Sequence, residues 1–282
     1  MGYTYHMESL LPLAASPVLP IFAAVLYLLA TFTPARLRMP ISATVVAGWL
    51  VHALALAAAI DAHGALRVGF ALMLSVTLWI SVAAYWLENR NFALDSLRVL
   101  VLPCAAFATL LPMAFPGELA ALEGRSPLFS WHVAIAILAY STLTIAAFHA
   151  LLMALQESRL HTSSGGEAGW FGAAIDRLPA LLTMEKLLFR LIAFGFVLLT
   201  LTVVSGLVFS EQLFGKAFKF EHKTVFTLLS WALFGALLAG RRWRGWRGKT
   251  ALRFFLGGFI ALLLGYVGTR FVYEVILGRP FV

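Results

Sequence analysis

The stretch that decides the fold runs from Ser130 to Gln156 and reads SWHVAIAILAYSTLTIAAFHALLMALQ. It carries no charged side chain, and its polar groups are mainly histidines and hydroxyls. A helix needs about 20 predominantly apolar residues to cross the hydrocarbon core of a bilayer, so this stretch predicts a transmembrane helix. Tryptophan is enriched at membrane–water interfaces. Trp131 therefore predicts that the neighbouring His132 lies at the level of the lipid headgroups.

The composition of the whole chain agrees with a membrane protein. Of its 282 residues, 61% are hydrophobic and only 12% are charged, whereas a soluble domain has about 25% charged residues. The single cysteine, Cys104, excludes an internal disulfide and a zinc site built from several thiolates. The formal net charge of +8 does not indicate nucleic-acid binding, because the basic residues sit in short loops between apolar segments. We interpret the basic run Arg241–Lys249, RRWRGWRGK, as an anchor for anionic lipid.

Apolar segments of similar length recur along the whole chain. Each has the length that a bilayer about 30 Å thick requires of a helix. The pattern predicts an all-α, polytopic membrane protein with a bundle of eight transmembrane helices, forming one integral-membrane domain over residues 1–282. The predicted spans are approximately 10–32, 41–60, 68–87, 97–115, 130–156, 187–209, 223–239 and 254–275.

The loops between these segments predict the orientation of the chain. Fourteen Lys and Arg residues fall in one set of alternate loops, and seven fall in the opposite set. The positive-inside rule places the fourteen in the cytoplasm. We therefore expect a protein of the bacterial inner membrane with both termini on the outer, periplasmic side. In this orientation His132 and His222 both lie at the outer ends of their spans.

No motif in the chain indicates catalysis. The sequence contains no nucleophile–base constellation, no Gly-rich phosphate loop and no H-E-x-x-H. Its acidic residues lie in loops or at span ends, whereas a cation pump usually places carboxylates in mid-membrane. We therefore predict no catalytic residues, and a carrier or chaperone rather than an enzyme.

His132 and His222 are the candidate metal ligands. Two imidazoles can ligate haem iron, and haem suits an apolar pocket with aromatic walls and nearby cations. Protonation of histidine near about pH 6.5 would make such binding reversible. The alternative is that both histidines only anchor helix ends at the interface. The other residues expected to contact haem are Trp131, Phe218 and Phe220 as aromatic walls and Lys219 and Lys223 as partners of the propionates.

Two further histidines fall inside predicted spans. His52 lies near the middle of the second span, where polar side chains are costly and usually functional. Both a ligand role and a hydrogen bond between helices remain open for it. His149 follows His132 by 17 residues, which places it about 25 Å deeper in the same helix. We interpret His149 as a hydrogen-bonded residue of the inner half of the membrane.

Three short motifs occur in an order and spacing that match a known family. They are Trp131-His132-Val133 with Ala139-Tyr140, the segment Glu185–Arg190, and His222–Phe226 followed by Trp231. They resemble the cytochrome c assembly (CcsA-type) membrane proteins, and in particular the smaller HemX/YpjD-like branch. The resemblance implies that haem, expected as haem b, is handled in the membrane and presented at the outer face. By the same resemblance, His132 matches the outer ligand, His52 matches an early-span histidine that holds haem within the membrane, and His222 occupies a loop-to-span junction.

One motif of that family is missing from this chain. The tryptophan-rich run W-G-x-x-W-x-W-D should precede His222, but Ser210–Glu221 contains no tryptophan. Two functions therefore remain open. The first is a haem-binding protein that assists cytochrome c-type or other haem-protein assembly, with an apocytochrome or another membrane protein as its partner. The second is a non-catalytic regulatory or scaffolding subunit that acts on a tetrapyrrole-synthesis enzyme or another membrane complex.

Overall fold

The computed structural model describes residues 17–34, 37–62, 65–92, 97–121, 127–161, 172, 175, 178–208 and 222–277. Within these residues the chain forms a bundle of eight helices, which confirms the predicted all-α fold class. The helices are α1 (Val18–Phe32), α2 (Arg38–Ile60), α3 (Phe70–Phe92), α4 (Arg98–Ala114), α5 (Pro127–His161), α6 (Leu181–Val208), α7 (His222–Arg244) and α8 (Gly248–Leu263).

Six of the eight helices are long and apolar enough to cross a membrane, and α1 and α4 are shorter apolar helices. Helix α4 has 17 residues and contains Pro103 and Pro112. At 1.5 Å per residue it is about 26 Å long, slightly less than the thickness of the hydrocarbon core. The segment after it turns at Gly117, whose φ of 73° favours glycine.

The chain continues beyond α8 in a wider helical geometry. The π-helical segments Leu264–Gly268 and Val272–Ile276 flank a short α-helix, Thr269–Phe271. We call residues 264–276 the π extension of α8. π-helical turns are rare in proteins and often lie at functional sites.

A small antiparallel sheet, which the sequence did not predict, joins two of the inter-helix connections. Its strands β1 (Asp61–Ala62), β2 (Ala65–Val68) and β3 (Glu118–Ala121) lie in the order β1-β2-β3. Next to the sheet, a Cβ atom added at Gly69 would lie 2.8 Å from the Cα of Gly117, so the backbone at Gly117 leaves no room for a side chain at position 69. The sheet thereby ties the α2–α3 connection to the segment that follows α4.

The bundle has two hydrophobic cores, and α5 contributes to both. The first core contains Tyr27, Tyr85 and other buried residues mainly of α1 to α4, together with Ile145 of α5. The second contains Phe234 of α7 and residues of α6 and α8, together with Leu143 of α5. Positions 143 and 145 lie about 200° apart around a helix, so opposite faces of α5 meet the two cores. The apolar stretch that dominates the sequence is therefore also the central helix of the fold.

Two tryptophans hold α2 against α3. The indole rings of Trp49 and Trp79 stack with their centroids 4.7 Å apart. The Nε1–H of Trp49 donates to the carbonyl oxygen of Trp79 at 3.1 Å, and the Nε1–H of Trp79 donates to that of Trp49 at 3.0 Å. This reciprocal contact satisfies both indole donors and sets the register of the two helices. One turn later in α2 and one turn earlier in α3, the same register brings His52 beside Ser75.

A cluster of charges joins α6, α7 and α8 at one end of the bundle. The carboxylate of Glu185, near the start of α6, accepts hydrogen bonds from Arg241 in the last turn of α7 and from Arg247 just before α8. The Arg241 guanidinium also lies 4.2 Å from the centroid of the Phe189 ring. We call this the Glu185 end of the bundle. Since α6 begins here and α7 finishes here, the two helices are antiparallel.

Candidate functional site

His132 lies at the opposite end of the bundle, where α5 begins against the last turn of α6. Its Nδ1 atom is 2.8 Å from the Oγ atom of Ser205, and the Ser205 hydroxyl donates to the carbonyl oxygen of Thr202 at 3.1 Å. Because a hydroxyl has only one proton, Ser205 must accept from Nδ1–H. The neutral ring then carries its lone pair on Nε2, which is the tautomer that can ligate a metal through Nε2. Ser205 thus orients a potential ligand.

The His132 ring packs on α6, and the neighbouring Trp131 is exposed. A Cβ atom added at Gly206 would lie 3.4 Å from the Cε1 atom of His132, so a glycine is present where the ring packs on α6. His132 is half-buried. Trp131, which was predicted to line the pocket, has 70% of its surface exposed. That exposure suits an indole at a membrane–water interface.

His222 is the first residue of α7 and is exposed. Next to it, Lys223 is half-buried, and its carbonyl oxygen accepts a hydrogen bond of 2.7 Å from the Thr227 hydroxyl. A Cβ atom added at Gly265 would lie 3.4 Å from that same carbonyl oxygen, so the first turn of α7 packs on the π extension. Helices α5 and α7 both contact α6 and α8.

The contacts place the first turns of α5 and α7 at the same end of the bundle. Both helices run antiparallel to α6, as the His132–Ser205 contact and the Glu185–Arg241 contact show. We call this the His132 end. Ligation of one haem by His132 and His222 remains a prediction. The predicted wall residues Phe218 and Phe220 and the predicted propionate partner Lys219 lie outside the described residues.

The π extension brings further polar residues to the same part of the bundle. The Tyr140 hydroxyl on α5 donates to the carbonyl oxygen of Leu262 at 3.0 Å, just before the first π-helical turn. In that extension Arg270 and Glu274 form an ion pair with 3.6 Å between Nη1 and Oε1, and both side chains are largely buried. The guanidinium of Arg270 lies 6.0 Å from the ring centroid of Tyr266. The spacing of four residues between Arg270 and Glu274 was the one available sequence signal.

His52 has a different environment in the middle of the bundle. It is fully buried, with its Nδ1 atom 3.2 Å from the Tyr27 hydroxyl and its Nε2 atom 2.8 Å from the Ser75 hydroxyl. A neutral imidazole donates from one nitrogen and accepts at the other, so both nitrogens are engaged. Tyr27 belongs to α1 and Ser75 to α3, so His52 on α2 links three helices. Of the two roles left open by the sequence, this geometry matches the hydrogen bond between helices.

Similar proteins identify the family to which this chain belongs. A family model described as cytochrome C assembly protein matches residues 18–277, which include all eight helices. The chain belongs to this family. It is 30% identical over 247 residues to the inner membrane protein YpjD of Escherichia coli strain K12, covering 85% of this chain and 88% of YpjD. It is 27% identical over 212 residues to the cytochrome c biogenesis protein CcsA of Prochlorococcus marinus, covering 66% of each chain. No solved structure matches the chain significantly.

Membership confirms the family and the branch that the three motifs indicated. The motifs Trp131-His132-Val133, Glu185–Arg190 and His222–Phe226 all lie within the matched range. The YpjD relative is similar in length to this chain, since the alignment covers most of both proteins. With its six long apolar helices, the chain is an integral membrane protein of the cytochrome c assembly family.

Proposed function

We propose that this protein holds haem at the His132 end of the bundle and assists the assembly of cytochrome c-type or other haem proteins. Membership of the cytochrome c assembly family supports haem handling in cytochrome c biogenesis. Helix α5 supplies the candidate ligand within the first turns of the helix, next to an exposed tryptophan. A site at the membrane–water interface is accessible both to a hydrophobic ligand in the bilayer and to a protein partner outside it.

The orientation of His132 is the observation that carries the proposal. Metal-ligating histidines usually donate their second ring N–H to an oxygen, which selects the tautomer and holds the ring. The Nδ1–H of His132 donates to Ser205 in this way, and Ser205 is itself held by the Thr202 carbonyl. This tautomer has its lone pair on Nε2, the atom through which the ring is proposed to bind iron. When bound, haem would supply the iron and two propionates, and His132 would hold the iron.

His222 is the proposed second ligand, since it begins the neighbouring helix at the same end. The haem is proposed to be haem b, bound without covalent attachment. Trp131 and the residues Phe218 and Phe220 are proposed to flank its apolar faces. Lys219 and Lys223 are proposed to meet the propionates, because ammonium groups pair favourably with carboxylates near the water boundary.

An absorption spectrum tests the proposal directly. The purified protein, supplied with haem, should show the spectrum of low-spin haem with two nitrogen ligands, both oxidised and after reduction with dithionite. Protonating an unliganded imidazole removes the lone pair that binds iron. Haem retention should therefore be greatest above about pH 7 and should decrease between about pH 7 and pH 5, around the ordinary histidine pKa of about 6.5. Circular dichroism over the same range serves as the control for folding, and a protein that binds no haem at pH 7 would contradict the proposal.

The proposal also requires the His132 end to face the outside of the cell. Fourteen Lys and Arg residues fall in the loops on the other side of the membrane, against seven on the side of His132, and this excess supports the orientation. Reporter fusions after Val282 and within residues 163–166 should give periplasmic and cytoplasmic signals, respectively. A cytoplasmic signal at Val282 would place both histidines inside and would contradict presentation of haem at the outer face.

A regulatory or scaffolding role is the second candidate, and the Glu185 end supports it. There Trp243 has 81% of its surface exposed, and Arg242 and Arg244 beside it are also exposed. An exposed indole among cations is a suitable contact for an acidic protein surface or for anionic lipid. If this role is the main one, Trp243→Ala should impair function in cells while haem binding by the purified protein stays unchanged.

A further inference from the structure

Two largely buried, titratable side chains that the proposed function does not use face each other between α3 and α5. Glu88 lies near the end of α3 and His149 lies on α5, and the Oε2 atom of Glu88 is 3.3 Å from the Nε2 atom of His149. The His149 side chain is fully buried, and that of Glu88 is 19% exposed. Neither of these two atoms has another hydrogen-bond partner within the described part of the chain.

The second ring nitrogen of His149 determines what Nε2 can do. Nδ1 lies 2.9 Å from the carbonyl oxygen of Ile145, one helical turn earlier. A carbonyl oxygen can only accept, so Nδ1 carries a proton and donates it. In the neutral ring Nε2 is then an acceptor. It faces a carboxylate oxygen, which is also an acceptor when Glu88 is ionised.

Two acceptors at this distance in an apolar interior are unfavourable, because each loses its hydration and gains no donor. One additional proton between Oε2 and Nε2 removes the conflict. A proton on the carboxyl leaves both groups neutral, whereas a proton on the ring creates two buried charges that must be desolvated. We propose that Glu88 and His149 form a proton-binding site in which the Glu88 carboxyl holds one proton and donates it to Nε2 of His149.

Other charged groups lie near this end of α3 and α5, among them the buried Arg98, whose Nε and Nη1 atoms have no hydrogen-bond partner within the described residues. Glu185 is already held by Arg241 and Arg247. Arg190 on α6 and Arg253 on α8 are exposed, whereas Arg98 in the first turn of α4 is buried. Among the side chains that the structure describes, the charged groups on the elements packed against α3 and α5 here are Arg98 on α4, Glu157 and Arg159 on α5, Glu185, Lys186 and Arg190 on α6, and Lys249 and Arg253 on α8. The sequence adds Arg38 on α2 and Arg90 on α3.

The site lies where the two halves of the bundle meet. Helix α3 belongs to the first core, and α5 contributes to both cores. Loss of the proton leaves one negative charge facing a lone pair between these helices. Proton binding therefore stabilises the packing of α3 on α5, and that contribution is lost as the pH rises and the folded protein releases the proton.

Infrared difference spectroscopy of the full-length protein in detergent tests the proposal. A protonated carboxyl gives a C=O stretching band that shifts in D₂O, and this band should be present in the wild type at neutral pH. Glu88→Gln should abolish the band and keep the fold, because the amide N–H of glutamine can donate to Nε2. His149→Leu should move the band to higher frequency, since the acid loses its acceptor. Glu157→Gln, on the same helix as His149, is the matched control and should leave the band unchanged.

A second measurement on the wild type keeps the test independent of how the variants fold. With ¹⁵N-labelled histidine, the resonances of His149 should show a ring protonated on Nδ1 and a hydrogen-bonded, unprotonated Nε2. A ring protonated on both nitrogens would overturn the proposal, because the proton would then belong to histidine. So would a carboxylic acid band that Glu88→Gln leaves in place, or one that His149→Leu does not shift.

Discussion

His52 and His132 are both histidines that contact a serine on a neighbouring helix, yet the two rings differ in their burial and in their hydrogen-bond partners. At His52 both ring nitrogens have hydroxyl partners, on Tyr27 and Ser75, and the ring is fully buried. At His132 the serine is an acceptor that holds Nδ1–H, and the ring is half-buried near the start of its helix.

The two environments correspond to two roles of histidine in a membrane protein, a hydrogen bond between helices and the proposed binding of haem. A ring with two hydrogen-bond partners has no lone pair to give to a metal without first breaking a bond in the core. A ring held through one nitrogen keeps its orientation and directs the other nitrogen's lone pair to a ligand. The burial and the hydrogen-bond geometry of each ring therefore distinguish the two proposed roles, although the residue type and the apolar context are the same.

The largest expected effect is the difference in haem binding between two single variants that carry the same substitution, one at His132 and one at His52. We expect His132→Gln to abolish low-spin haem binding, because an amide does not replace an imidazole on iron, while His52→Gln keeps the haem spectrum. In His132→Gly, added imidazole should restore the signal. Absorption spectra of the three variants at equal protein concentration check this. Loss of the spectrum in His52→Gln with retention in His132→Gln would reverse the assignment of roles.

A smaller effect is expected at the serine that orients His132. Ser205→Ala removes the acceptor of Nδ1–H, and loss of such a partner typically weakens metal binding by about 10- to 100-fold. Ser205→Thr keeps a hydroxyl and serves as the matched control. Haem titrations followed by absorption give the dissociation constants. Equal haem affinities for Ser205→Ala and the wild type would show that the hydrogen bond between His132 and Ser205 does not contribute to haem binding.

The smallest effects should appear in stability rather than in haem binding. His52→Gln can replace part of the hydrogen bonding, and such bonds between membrane helices average about 0.6 kcal/mol. His52→Leu leaves the hydroxyls of Tyr27 and Ser75 without their partner, which costs about 1–3 kcal/mol. Thermal or denaturant unfolding in detergent measures both variants. A stability loss in His52→Gln as large as that in His52→Leu would argue against the hydrogen-bonding role.

Much of the fold follows from the sequence because lipid leaves few alternatives. A backbone inside the hydrocarbon core must satisfy its own hydrogen bonds, so an apolar stretch such as Ser130–Gln156 has to become a helix. The motif around His132 and that at His222–Phe226 also indicated the family, which the comparisons confirm. The three-stranded sheet was not foreseen, since strands of two to four residues carry no detectable alternation.

What the sequence by itself determined is therefore the class of protein: helices that cross a membrane, their order, and the cytochrome c assembly family. Only the tertiary structure decided which polar groups meet. Ser205 lies 73 residues from His132 in the chain, and Glu88 and His149 lie on different helices. The physical reason is that apolar content is a sum over many residues, whereas a hydrogen bond depends on helix rotation and depth to within about 1 Å. No local pattern encodes helix rotation and depth, so only the packing of the helices determined which polar groups each histidine contacts.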